Sequence, residues 1–439
     1  MIISTLKKKL GNKVKTSPDF LSVYSFDASR KLKFPIAVVI PENEEDILNT
    51  LIVCSRYGIP VTPRGGGSGL VGGAVPEDGG IVLSSEKLRD IKILDDGYAI
   101  CQAGAITYNI SRLAEQRGFF FPSQPSSSKF STIGGNVATD SAGLHSAKYG
   151  STKDYIISLR FATPAGAIVE TGEEKILNDI ISGSEGTLCF ITAVKLKLLK
   201  LPKKKKTKLF IFNNVENLSE FSRRITESFL PSAFEVIDPI SGALFGAEKA
   251  FYVILEDDSD YADEVMLNID RLSKEVKGQA IEESPEKIWE KRKRIGPSLS
   301  KIRNFKYNED VVFPLSVLED FINGINNISE KSKLPIACFG HLGIGIMHTN
   351  ILWNRGEDKS AEEARRILFN FILEIGGSIT GEHGVGLSKR EFLEAEISKE
   401  TANLLEGIKS VFDPSGIMNP SKIFLTKRRG CIDTNYLIV

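Results

Sequence analysis

The stretch Pro63 to Gly73, PRGGGSGLVGG, places six glycines among eleven residues. A backbone so poor in Cβ atoms can take positive φ and approach a ligand closely, and its amide N–H groups can converge on an anion. Gly67, Gly69 and Gly72 match G-x-G-x-x-G, but that fingerprint must open a helix. Here LVGGAVPEDGG follows, with too much Gly and Pro for a helix interior, and then the strand-like IVLS. No Gly-Lys-Ser/Thr follows, so the loop is not a Walker motif either. It is expected to join strand to strand and to cradle phosphate in another way.

The flanking residues read as a small α/β unit. Ile36 to Ile40 predicts a strand, EEDILNTLIVCSRYG a helix begun by Pro41 and Asn43 and ended by Gly58, and IPVTP the strand that delivers the loop. YAICQAG predicts a further strand and ITYNISRLAEQRG a helix with a C-terminal Gly. Two later stretches share the loop's character. TIGGNVATDSAGLHSAKYG, Thr132 to Gly150, reads as a loop of small residues and hydroxyls wrapped around a polar ligand; SGSEGTLCFITAVKLKL reads as a glycine turn entering an alternating strand. Each alone is compatible with a plain turn, while all three before residue 200 suggest one extended ligand.

At 439 residues the chain is too long for one ordinary core, and LPKKKK at 201–206 marks a boundary. Past it, strands such as KLFIFN and AFYVILED alternate with helices such as YADEVMLNIDRLSKEV and AEEARRILFNFILEIGG, predicting a sheet with helices on one face. Fifty-six acidic residues balance fifty-six basic ones, which gives no support to nucleic acid as a partner. No stretch reaches 18 apolar residues and the N-terminus lacks a signal pattern, so a cytoplasmic protein without a transmembrane segment is expected. Five scattered cysteines without C-x-x-C argue against an iron–sulfur site and a disulfide framework.

Chemistry concentrates late. Of four histidines, His341 and His348 lie in GHLGIGIMH and His383 in GEHGVG beside Glu382. Gly343 and Gly345 between the first two argue for strand, tight loop and strand. Two imidazoles and Glu382 make a His₂Glu set with an open position, suited to Zn²⁺ or Mn²⁺, and His383 is then free to act as a base. The alternative is three satisfied core or surface histidines. Upstream, Trp289 precedes Lys291 to Arg294, Lys301, Arg303 and Lys306. These could hold an anionic substrate, or they form a solvated helix face.

PRGGGSGL, IGGNVATDSAG, YGSTKD and SGSEGTL together resemble the flavin-binding domain of the vanillyl-alcohol oxidase and p-cresol methylhydroxylase superfamily. With GHLGIGIMH, GEHGVG and the closing FDPSGIMNPSKIF, residues 20 to 425 resemble its D-2-hydroxy-acid dehydrogenase branch: the GlcD subunit of glycolate oxidase, D-lactate dehydrogenase and D-2-hydroxyglutarate dehydrogenase. The resemblance implies an α+β chain, with a two-subdomain flavin domain of the p-cresol methylhydroxylase type over 1–202. An α+β substrate or cap domain with an antiparallel sheet follows over 203–412, and 413–439 returns to the first domain. It also implies an FAD-dependent oxidation of a D-2-hydroxy acid by hydride transfer to flavin N5.

Residue by residue, Pro63, Arg64, Gly65, Gly66, Gly67, Ser68, Gly69 and Gly72 would cradle the FAD pyrophosphate. Pro125, Ser126, Thr132, Gly134, Gly135, Asn136, Thr139, Ser141, Gly143 and Tyr149 would line the flavin, with Glu185, Gly186 and Ile191 near the adenine half. His341, His348 and Glu382 match the family's metal ligands, and His383 the residue that takes the hydroxyl proton. Arg292 and Lys306 match positions that hold the substrate carboxylate, and Asn350 one that contacts it. No histidine lies near the first loop, so non-covalent FAD is expected. One departure stands out: the family has Asp-Gly-Asn between the metal histidines where this chain has Ile344, Gly345 and Ile346.

The implied partners are a small-molecule 2-hydroxy acid and an external electron acceptor, either quinone-linked, a flavoprotein or an iron–sulfur protein. Through such a partner the chain would sit peripherally at a membrane. Monomer and homodimer both stay open. Two alternatives are kept: a non-catalytic flavin relay subunit of a glycolate oxidase complex, and another flavoenzyme of the superfamily such as a phenol oxidase.

Overall fold

The computed structural model describes residues 1–172, 175–246 and 249–423; Phe424, Cys431 and the tail TKRRGCIDTNYLIV lie outside them. Asn43 caps helix Glu44–Tyr57 by accepting the Asp46 N–H, and Gly58 ends it at φ 63°. Strands Ala37–Val39 and Val61–Arg64 both pair in parallel with Ile81–Ser84, which lies between them. The glycine loop therefore connects parallel neighbours. Such a pair must be re-entered from the same end, which requires a long connection.

A second, antiparallel sheet follows, in the order Ile91–Ile93, Tyr98–Gln102, Phe190–Lys197, Ile156–Ala162, Ile168–Glu170. Thr132 to Gly150 is not a loop throughout, as the sequence suggested. Thr132 accepts the Gly135 N–H and opens helix Ile133–Thr139, and a short helix Ser146–Tyr149 follows. Gly134 lies against Ala103, where a Cβ would collide. The glycines there permit close packing of helix on strand rather than an irregular backbone.

The third sheet has seven antiparallel strands, in the order Gln279–Ile281, Lys206–Phe212, Phe251–Asp257, Ala233–Ile237, Ile336–His341, Ile346–Trp353, Phe305–Val312. Alternation along the strands divides their side chains between two cores. Phe210, Phe212, Val236, Val311 and Met347 pack with helices Val215–Ser228, Ala262–Glu275, Leu318–Ser332 and Asp358–Glu374. Leu209, Ile211, Ala337, Phe339 and Leu352 pack with Pro239–Phe245 and Pro285–Ser298. Helices thus cover both faces, not one. Pro285–Ser298 buries only Ile288, Arg292 and Ile295, an apolar stripe too thin to read beneath its charges.

The second face carries the chemistry. Opposite one another across strand pairs stand Glu235 and His341, Asp310 and His348, Asn308 and Asn350. The hairpin 336–353 turns through Leu342–Ile344 and Gly345, the strand, tight loop and strand expected. After helix Lys399–Phe412 the chain returns to the first sheet, where Val61 N–H donates to Ile417 O at 2.7 Å and Asn419 N–H to Val61 O at 2.9 Å. Cys54, Cys101, Cys189 and Cys338 are buried and free. Among the described residues no helix is long and apolar enough to cross a membrane.

Candidate active site

The glycine loop is pinned from beneath and left open above. Arg64 Nη1 donates to Phe26 O at 2.7 Å, and Gly67 takes φ 65° directly over the Arg64 guanidinium. Gly66 presses on the Phe130 carbonyl, with no room for a Cβ. Among the described residues the amides of Gly66, Gly67, Ser68 and Gly69 donate to no protein acceptor. Convergent orphan donors of this kind form an anion-binding concavity.

That concavity is one end of a cavity of about 620 Å³. Of the residues expected around a flavin, Pro63 to Gly69, Pro125, Ser126, Thr132, Gly134, Gly135, Asn136, Thr139, Ser141, Gly143, Glu185, Gly186 and Ile191 all lie on its wall. Gly72 and Tyr149 do not. Gly72 backs onto Leu387, and the Tyr149 hydroxyl donates to Asp258 at 2.6 Å. Ala103, Leu70 and Phe190 join the wall unannounced. Ala103 follows the strand Tyr98–Gln102 in a run of small residues, the one signal that could have suggested it.

At its other end the cavity meets the second face of the seven-stranded sheet and the segment 380–389. His341, His348, Glu382 and His383 line it together with Arg292 and Lys306. One ligand atom each from His341, His348 and Glu382 falls within 4.8 Å of the others. His348 Nε2 lies 3.4 Å from Glu382 Oε1, His341 Nε2 3.7 Å from Oε2, and His383 Nε2 3.4 Å from Oε1. Burial pushes His348 down to about 3, which leaves it a neutral donor. At Glu382 burial opposes ionisation, yet His341 and His383 hold the carboxyl well below its usual range.

Glu235, fully buried, organises this end. It pairs with His341 Nδ1, which leaves Nε2 to face Glu382, and it accepts Arg292 Nε at 2.8 Å. A carboxylate behind a ligating imidazole fixes its tautomer and orientation. Arg292 stacks over Phe339 at 4.5 Å and gives Nε and Nη2 to Glu235, so among the described residues Nη1 is its uncommitted edge. Lys306 reaches the rim, where Nζ donates to Gly296 O at 2.9 Å. Its chain is exposed, but its ammonium is crowded: burial and then nearby Arg30 lower its pKa.

Asn350 is not brought to the wall. It is fully buried, and its amide donates to Ala337 O and His348 O. Asn308, opposite it in register, lines the cavity instead; among the described residues its Oδ1, like that of Asn350, has no partner. Ile346 is buried against Gly381, so an apolar contact backs the Glu382 segment at a position where the resemblance led one to expect a polar side chain. Sequence reasoning passed over Glu235, Asn308 and Asp310. The signal available was an acid inside an apolar strand, in AFEVI and EDVV, because a buried carboxylate requires partners.

Both implied groups fit these residues. The orphan amides suit the pyrophosphate of FAD, and the His₂Glu donors, with one imidazole held by a carboxylate, suit a divalent metal with open positions.

Residues 35–172 match the family described as FAD binding domain, and residues 201–423 the family described as FAD linked oxidases, C-terminal domain. The chain is 34% identical to the glycolate oxidase subunit GlcD of Bacillus subtilis (strain 168), covering 93% of each. It is 30% identical to a D-lactate dehydrogenase of Archaeoglobus fulgidus, covering 91% of this chain and 95% of that one. A D-2-hydroxyglutarate dehydrogenase of Stutzerimonas stutzeri is 27% identical over 94% and 96%. Among solved structures, p-cresol methylhydroxylase with substrate bound superposes with a TM-score of 0.80 at 15% identity, covering 95% of each chain. That likeness concerns the fold.

Proposed function

The chain belongs to the FAD-linked oxidases, and we propose that it oxidises a D-2-hydroxy acid of the lactate, glycolate or 2-hydroxyglutarate kind to the 2-oxo acid. The observation that carries this reading is the continuity of one cavity, from the unpaired amides of the glycine loop to the histidine–glutamate cluster. FAD, held without a covalent bond by the first loop and the 125–143 segment, would accept the substrate's C2 hydride. A Zn²⁺ or Mn²⁺ ion on His341, His348 and Glu382 would supply Lewis acidity toward the substrate's α-oxygen.

The rest falls to the chain's own side chains. Arg292 and Lys306 bind the carboxylate, and their attachment to Glu235 and Gly296 restricts where it sits. Glu235 keeps His341 Nε2 turned inward. His383 accepts the hydroxyl proton at Nε2. Burial disfavours the imidazolium, but Asp310 and then Glu382 outweigh it and raise the ring to about 10; a divalent cation on Glu382 would oppose this and favour the neutral ring that can accept a proton. Residues 1–202 then serve the cofactor and 203–412 the substrate, with 413–423 returning to the first unit and the rest of the expected closing segment outside the described residues. Reduced cofactor would pass its electrons to an external quinone-linked, flavoprotein or iron–sulfur acceptor.

The test is the visible spectrum of the purified protein during anaerobic addition of D-lactate, glycolate and D-2-hydroxyglutarate in turn. Bleaching of an oxidised flavin by one of these, and not by the L-isomer where one exists, is the expected result. A flavin that none of them bleaches overturns the reading.

A further inference from the structure

Asp310 stands at the inner end of the site, fully buried, on the strand Phe305–Val312. One oxygen, Oδ2, accepts three consecutive backbone N–H groups, from Gly381 at 3.0 Å, Glu382 at 2.7 Å and His383 at 2.7 Å. The other, Oδ1, pairs with buried Lys389 and lies 3.2 Å from His383 Nδ1. That last contact is a charge contact: the ring N–H is not aligned for a hydrogen bond. Lys389 also donates to Ile379 O at 2.8 Å, so both ends of the segment 379–389 are tied to one carboxylate.

Burying an acid this completely costs several kcal/mol unless partners offset it, and a purely structural tie needs only the three amides. Oδ1 faces the imidazole as well. This sets the Nδ1 edge of the ring against Asp310 and turns Nε2 toward Glu382, 3.4 Å away. We infer that Asp310 is a positioning residue for His383, fixing both the backbone that carries the ring and the direction in which its Nε2 faces. The inference rests on the hydroxy-acid reading above. In the step concerned, the substrate O–H bond breaks with its proton going to His383 Nε2. FAD, when bound, would take the C2 hydrogen with its bonding pair as hydride, leaving the carbonyl.

The test uses full-length Asp310→Asn, loaded with FAD and metal. Anaerobic rapid mixing gives the limiting rate of flavin reduction and the apparent substrate dissociation constant, in H₂O and in D₂O. FAD and metal content are measured on the same samples. The amide cannot orient the ring as the carboxylate does, so the limiting rate should fall roughly a hundredfold or more. Substrate affinity should change by less than about threefold, and the solvent isotope effect should grow as proton removal becomes limiting. Should the amide variant not fold, Asp310→Glu keeps a charge for Lys389 while displacing the oxygens, and the same result is expected of it. A rate loss that merely tracks lost metal and is restored by adding it, or an unchanged solvent isotope effect, overturns the inference. Native enzyme that no hydroxy acid reduces would refute the proposed function, and this role with it. Native enzyme that is reduced while the variant matches it refutes the role of Asp310 alone.

Discussion

Glu185→Gln should flatten the pH dependence of stability. Glu185 is 7% exposed, and its oxygens accept the Val385 N–H at 2.7 Å and the Gly386 N–H at 2.8 Å. Burial pushes its carboxyl up from 4.5 to about 7, against which the two amides and the charges of Lys422 and Lys389 act only in part. Between those values the folded chain holds a proton that the unfolded chain has released, so stability falls as pH rises. Glutamine replaces one of the two acceptor oxygens by an NH₂ that cannot accept, an offset that does not depend on pH. The difference between the two proteins should therefore change with pH only through the native carboxyl. Integrating the shift, the variant gains about 2.5 kcal/mol on the native chain between pH 5 and pH 8. Denaturant unfolding of both at matched pH values and fixed excess FAD measures this gain. Parallel stability profiles would refute the reasoning, because they would mean that Glu185 carries no raised pKa in the folded chain.

Other outcomes follow from the same geometry. His383→Ala should slow flavin reduction by roughly 10²- to 10⁴-fold while FAD stays bound, and normal reduction in rapid mixing would remove it from the chemistry. In His348→Ala the chain should lose its divalent metal by elemental analysis; full retention would break the ligand assignment. Arg292→Ala should weaken substrate binding by about 2 to 5 kcal/mol, and an unchanged apparent dissociation constant would return Arg292 to a structural role on Glu235. A Cβ at Gly66 overlaps the Phe130 carbonyl, so Gly66→Ala should purify with little flavin, read from the ratio of visible to ultraviolet absorbance.

The parts legible in the sequence were those where one residue type serves one purpose. Gly65, Gly66 and Gly67 announce a ligand cradle because a Cβ at any of them would collide with its neighbours. His341, His348, Glu382 and His383 announce themselves because histidine is scarce and all four converge on one cavity. Glu235 and Asp310 were not legible. Each is one acid among 56, and its meaning depends on strand alternation and pairing that bring it opposite a histidine from another part of the chain. Asn350 stands off the wall on which its place in the motif would put it: its Nδ2 donates to the carbonyls of Ala337 and His348, and Asn308 lines the cavity beside it. The second helix layer escaped for want of contrast, since Pro285–Ser298 carries a narrow apolar stripe among charges.

The segment that bears Glu382 and His383 is held from both halves of the molecule. Asp310 grips residues 381–383 from the seven-stranded sheet. From the cofactor side, Glu185 accepts Val385 and Gly386, while Val71 O in the glycine loop accepts the amides of Leu387 and Ser388. The segment and the glycine loop thus share a few short hydrogen bonds beside the packing of Leu387 on Gly72 and of Val71 on Gly386. These ties lie next to the cavity, apart from contacts farther off such as His145 with Glu256 at 2.8 Å or Tyr149 with Asp258. A short connection of this kind suits hydride and proton transfers from one carbon and its oxygen, where a misplacement of about 1 Å can cost a hundredfold in rate.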